Sequence, residues 1–150
     1  MLLGVRARLG ILLVATALAV TATVVPAGAR APFDRHFDVL GTGIGGRETS
    51  NGFAFRFVLQ NPANPINQVG HGHARCRFDR GPKPRCRFLF HFDGSIGGFG
   101  DLLARGNFGH GDHTFTIVDG DGDFSGRIAG KVTDHTLDRN TDSLHFDLTR

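Results

Sequence analysis

Two patterns in this chain have residue types and spacing suited to metal chemistry. His71-x-His73 would set two imidazoles on one side of a strand, an arrangement by which sheets hold transition metals. Such a pair needs one or two further convergent ligands, yet the single Glu of the chain, Glu48, lies upstream of it. Asp119-Gly120-Asp121-Gly122-Asp123 places carboxylates at every second position, as the opening of a calcium loop does. Phe124 then stands where such a loop needs its turn glycine, and Gly130 where it needs its bidentate Glu. The segment reads as a hairpin turn instead. Ser95, Ser125 and Ser143 lie in ordinary strand or turn contexts, without a nucleophile elbow, a phosphate loop or paired Glu nearby. No metal and no cofactor is implied. Any catalysis must come from a cavity.

The chain that would build that cavity has 150 residues, enough for one core. Residues 1–29 have the three parts of a secretory signal: Arg6 and Arg8, an apolar stretch of 17 residues from Leu9 to Val25, and small Ala27 and Ala29 at an A-x-A cleavage site. The stretch holds three Thr and ends at Pro26, short of the roughly 20 residues a bilayer requires. We therefore expect a cleaved leader, a secreted domain over 30–150 and no membrane contact after cleavage. In an oxidising compartment Cys76 and Cys86, the only two cysteines, are expected to pair. Without Arg6 and Arg8, 15 basic residues face 14 acidic ones. So even a balance predicts no basic stripe, and nucleic acid is not an expected partner.

The predicted mature region holds 14 Phe but no Trp or Tyr; the whole chain has 22 Gly. Alternation of period 2 recurs, and no apolar stripe of period 3.6 persists for three turns. The spacing predicts eight strands: 33–40, 51–60, 68–78, 85–92, 94–105, 113–119, 124–134 and 141–148. Turn chemistry separates them, including Gly41 to Gly46, Asn61 to Pro65, Asp79 to Pro84 and Asp119 to Gly122. This is an all-β fold, an eight-stranded antiparallel up-and-down barrel first and a sandwich second.

A bridge between adjacent strands requires both cysteines on one face. Steps of two from Cys86 reach Phe88, Phe90 and Phe92; steps back from Cys76 reach Ala74, Gly72 and Gly70. Large residues then oppose small ones, as in a filled barrel, so this face is assigned to the interior with Phe53, Phe55, Phe57 and Leu59. His71, His73, Arg75, Arg77, Arg87 and His91 fall on the outer face.

From Arg87 to Leu148 the chain resembles the allene oxide cyclase and dirigent barrel superfamily. The carrying text is Phe88-Leu89-Phe90-His91-Phe92-Asp93-Gly94-Ser95-Ile96, then Gly100, then His113-Thr114-Phe115-Thr116-Ile117-Val118-Asp119-Gly120, Phe124-Ser125-Gly126, Gly130 and Leu144-His145-Phe146-Asp147-Leu148. His36-Phe37-Asp38-Val39-Leu40-Gly41 answers to an early strand of the family, with Asp38 nearest its acidic position. Asp119 and Asp121 replace the usual Gly and Thr, and Gly126 to Gly130 is one residue longer than the common pattern. The resemblance implies an eight-stranded barrel with a central cavity, and barrels of this kind often associate as homo-oligomers. Its members cyclise an allene oxide derivative, steer radical coupling of phenols or close spirotetronate rings, all by shaping an apolar substrate.

The expected function is to hold a small hydrophobic molecule among Phe53, Phe55, Phe57, Phe88 and Phe90, with Arg56 turned toward the mouth. The alternatives are a cyclase or isomerase acting on such a molecule and a non-catalytic structural barrel. Cavity volume discriminates: at less than about 300 Å³, the low end for ligand pockets, both small-molecule readings fall together.

Overall fold

The computed structural model describes residues 35–149 apart from Arg80, His110 and Arg127; the predicted leader and Phe33 lie outside the described residues. Eight strands follow in chain order: β1 (His36–Thr49), β2 (Gly52–Asn61), β3 (Asn64–Arg77), β4 (Arg85–Asp93), β5 (Phe99–Asn107), β6 (His113–Gly120), β7 (Ala129–Thr136) and β8 (Thr141–Thr149). Each pairs antiparallel with the next, and β8 pairs back onto β1. The result is the all-β closed barrel that the alternating pattern predicts.

Closure sorts the side chains by parity. On β4, Cys86, Phe88, Phe90 and Phe92 are buried while Arg85 and Arg87 are exposed; on β3, Gly72, Ala74 and Cys76 are buried between exposed His71, His73, Arg75 and Arg77. Cys76 and Cys86 stand opposite one another in register and form the disulfide. Large and small residues interlock across this seam. A Cβ on Gly72 would lie 2.4 Å from the ring of Phe57 and 2.6 Å from the carbonyl oxygen of Leu89, so only glycine lets these strands and rings close up.

Three expectations need correction. Gly41 to Gly46 is no turn but the middle of β1, which carries a bulge between Gly43 and Gly45. The glycines let a long strand bend around the barrel wall, a use of turn-type residues that composition alone does not distinguish from a reversal. Gly94 to Gly98 forms bends, and β5 begins only at Phe99, because Gly97 packs with positive φ against the ring of Phe37. Asp119 to Asp123 is not a tight hairpin turn either. β6 ends at Gly120, a 3-10 turn spans Gly122–Phe124, and β7 starts at Ala129.

That 3-10 turn closes one end of the barrel. Its Phe124 is fully buried and packs on Phe92, which meets Phe146 edge to face at 5.3 Å; Phe146 lies flat on Phe37 at 4.8 Å. Burial of each such ring contributes about 1.5–3 kcal/mol, which makes this end a dense apolar plug. The opposite end gathers the β1–β2, β3–β4, β5–β6 and β7–β8 turns. It is here that the interior remains open.

Charge is also distributed by the fold. The expectation that balanced totals leave no basic stripe does not hold at the surface, since the register of β3, β4 and β5 sets Arg75, Arg87 and Arg105 side by side. Totals of charge carry no information about which residues become neighbours.

Candidate functional site

At the open end, a cavity of about 220 Å³ runs into the barrel between Phe53, Phe55, Phe57, Phe88, Phe90, Phe108 and Phe115. The rings meet at angles rather than in a single stack: Phe55 lies 6.1 Å from Phe88 at 74°, and Phe57 lies 5.6 Å from Phe90 at 58°. Such a wall presents both ring faces and ring edges to an occupant. Strand alternation brings all five phenylalanines named from the sequence to this one cavity. Phe53 and Phe55 are only partly buried because they stand nearest the mouth.

Arg56 does not join them. It is exposed on the outside of β2, opposite His73 of β3, since a residue between inward Phe55 and Phe57 must point outward. The shear of the barrel does not overturn that parity. His71 and His73 are likewise on the outer face; His71 packs on the ring of His91, whose Nδ1 lies 2.5 Å from Asp101 Oδ1. Among the described residues, no three His, Cys, Asp or Glu side chains converge as metal ligands. Asp38, the residue nearest the family's acidic position, is on the outer surface as well, with its Oδ1 2.7 Å from His145 Nδ1.

The polar side of the cavity comes from β7 and β8, strands expected from the sequence whose inward faces no anchor there fixes. Asp134 of β7 and Asp142 of β8 reach the lining together with Arg139 and Asn140 of the β7–β8 turn. Asp134 is 4% exposed, and its Oδ1 has no hydrogen-bonding partner among the described residues. Burial, reinforced by the nearby charge of Asp142, pushes its carboxyl up to about 7; His135 pulls weakly the other way. Asp142 is also raised by burial, although a side-chain hydrogen bond with Thr136 counteracts this. Asp138 holds the turn in shape, accepting the backbone N–H groups of Asn140 and Thr141 at 2.8 and 2.9 Å. Its pKa is lowered, chiefly by the first of these bonds.

The signal for Asp134 is present in the chain as Val132-x-Asp134, an inward Val followed two residues later by an acid. Reading it requires the β7 register, which pairs Asp134 with Leu144 on one side and His113 on the other. No bridge fixes that register in the sequence.

No family model matches the chain, and no curated protein matches it either. Solved structures do. A pyocyanin demethylase superposes with a TM-score of 0.61 at 19% identity, covering 76% of this chain and 99% of its own. The two share the eight-stranded barrel fold. A pterocarpan synthase dirigent protein agrees at a TM-score of 0.50 and 12% identity, over 75% of this chain and 86% of its own. At these identities the likeness concerns the barrel alone. The lining of the cavity must be read from this chain's own residues.

Proposed function

We propose that the barrel binds a small, flat, largely apolar molecule carrying one hydrogen-bond donor, with its rings among the phenylalanines and its donor on Asp134. The observation that carries this reading is the buried carboxyl of Asp134, whose Oδ1 has no partner among the described residues, on the lining of a cavity walled by phenylalanines on one side and by Asp142, Arg139 and Asn140 on the other. A buried acceptor left without a partner costs about 1–3 kcal/mol, which a ligand N–H or O–H would recover. Volume sets the scale. At about 220 Å³ the cavity falls below the mark of about 300 Å³ set from the sequence, so a drug-sized ligand, an enclosed fatty acid or a polyketide chain is not the occupant, and the reading is narrowed to smaller molecules, to which that mark does not apply. A dry cavity of about 150 Å³ takes up benzene, which leaves room here for one or two fused rings.

A second reading, proton transfer to or from the bound molecule, is favoured by the carboxyl held at about 7. A group poised there exchanges a proton readily at neutral pH, as isomerases and cyclases require. The names of the two similar barrels, a demethylase of pyocyanin and a pterocarpan synthase, support chemistry on small ring systems. The disulfide and the leader-like sequence of residues 1–29 support an extracellular setting.

The test compares 1-naphthol with naphthalene by calorimetry and fluorescence. We expect one saturable site for each, with naphthol roughly tenfold tighter, a margin of about 1.4 kcal/mol for one hydrogen bond. Asp134→Leu should remove that margin and leave naphthalene binding intact, whereas Leu144→Trp should abolish both. Absence of saturable binding sinks the proposal; a margin that survives Asp134→Leu sinks the role of the carboxyl.

A further inference from the structure

On the outside of the barrel, across the wall from the mouth of the aromatic cavity, the register lines up cations. Arg75 on β3 faces Arg87 on β4, which faces Arg105 on β5; the same row continues through Ala54 to Arg47 on β1 and through Thr116 to Lys131 on β7. Arg77 and Arg85 form a second facing pair beside it. All seven cations are exposed. Arg75, Arg77, Arg85, Arg87 and Arg105 share one open depression on this face.

Like charges directly opposite one another destabilise an antiparallel pair, and neighbouring strands hold them only about 5 Å apart. Counter-charges within the protein do not relieve this. Among the described residues, Asp38, Asp101, Asp112 and Asp147 contact His145, His91, His135 and His36 instead, and only Asp79 approaches an arginine, lying 3.9 Å from Arg85. Asp79 lines the depression beside Arg85, and Asp147 faces Lys131 at the end of the row, but the central Arg75, Arg87 and Arg105 form no ion pair with a carboxylate among the described residues. An arrangement that costs stability and is left uncompensated inside the molecule is matched by an anion from outside it.

We propose that this face binds a linear acidic polysaccharide. Guanidinium groups pair bidentately with carboxylates, and all five cations in the depression are Arg rather than Lys. A polyuronate carries one carboxylate per sugar, a repeat close to the strand spacing that separates Arg75, Arg87 and Arg105. The row from Arg47 to Lys131 contains no aromatic side chain on which the bases of a single strand would stack. Nor does it contain a large apolar side chain to enter a lipid surface.

The experiment titrates the protein with oligogalacturonate at several salt concentrations, beside oligothymidylate of equal charge and phosphatidylglycerol vesicles. Oligogalacturonate should bind with an affinity that falls steeply with salt. The triple variant Arg75→Gln/Arg87→Gln/Arg105→Gln should bind it roughly tenfold or more weakly and with a flatter salt dependence. The same variant should melt at or above the temperature of the parent, because it loses repulsion and nothing else, and it should bind 1-naphthol as the parent does. No binding of oligogalacturonate, equal binding by parent and variant, or tighter binding of oligothymidylate or vesicles would each overturn the proposal.

Discussion

Asp121 Oδ1 accepts the backbone N–H of Asp101 at 2.7 Å, across 20 residues of sequence, and Asp123 Oδ2 accepts that of Phe99 at 2.9 Å. These two of the three carboxylates in the Gly/Asp segment therefore tie the β6–β7 connection to the start of β5 and seat Phe124 in the plug. Asp121 Oδ1, Asp123 Oδ2 and Asp119 Oδ1, which accepts the N–H of Gly120 at 2.9 Å, each serve a backbone donor. Asp121→Ala should lower stability by about 1–2 kcal/mol in urea unfolding. Calcium added at millimolar levels should leave the melting temperature of the parent protein unchanged; a clear rise would assign these carboxylates to a cation.

Gly72→Ala tests the interlocking of large and small residues. The added methyl would overlap both the Phe57 ring and the Leu89 carbonyl, so backbone as well as side chain must shift. A loss of about 3 kcal/mol is expected, at the upper end of overpacking costs. Chemical denaturation of the purified variant measures it.

Removal of the disulfide by Cys76→Ala/Cys86→Ala should leave the circular dichroism of a sheet protein but lower stability by about 3 kcal/mol, the chain-entropy value for so short a loop. That corresponds to roughly 10 °C in melting temperature for a domain of this size.

The sign of the Asp134 effect follows from its raised pKa. The folded state holds this proton more tightly than the unfolded chain does, so its contribution is intact below about pH 4 and is lost as pH rises to about 7. The full difference from the ordinary 3.8 is worth about 4 kcal/mol, an upper bound because the cavity is open to water at its mouth. Asp134→Asn should thus flatten the fall in stability between pH 4 and 8 and raise the melting temperature most above pH 7. An unchanged pH profile would refute the burial argument.

Much of the interior was legible because one covalent constraint set a face. From Cys76 and Cys86, counting by two places Phe88, Phe90, Phe92 and Ala74 inside and His71, His73 and Arg87 outside, as the structure has them. Where no such anchor exists, the reading loses its phase. Asp134 and Asp142 sit on the two strands that enter the barrel last, and their inward direction follows from pairings closed only in three dimensions. Gly41 to Gly46 has the composition of a turn and the role of a bend, a distinction made by the curvature of the whole sheet. The arginine row is invisible to a charge total, since its members come from four regions of the chain.

Pairing of β1 with β8 has a final consequence for how this molecule can meet others. An open sheet ends in a row of unsatisfied amide and carbonyl groups, which invites a further strand from a second chain. Here closure removes that edge along most of the wall and leaves it where β1 from Gly45 to Thr49 and β3 from Asn64 to Val69 pair on the β2 side alone. A strand from another molecule could add there, and along the paired wall contacts fall to the outward-facing side chains that the pleat has set apart.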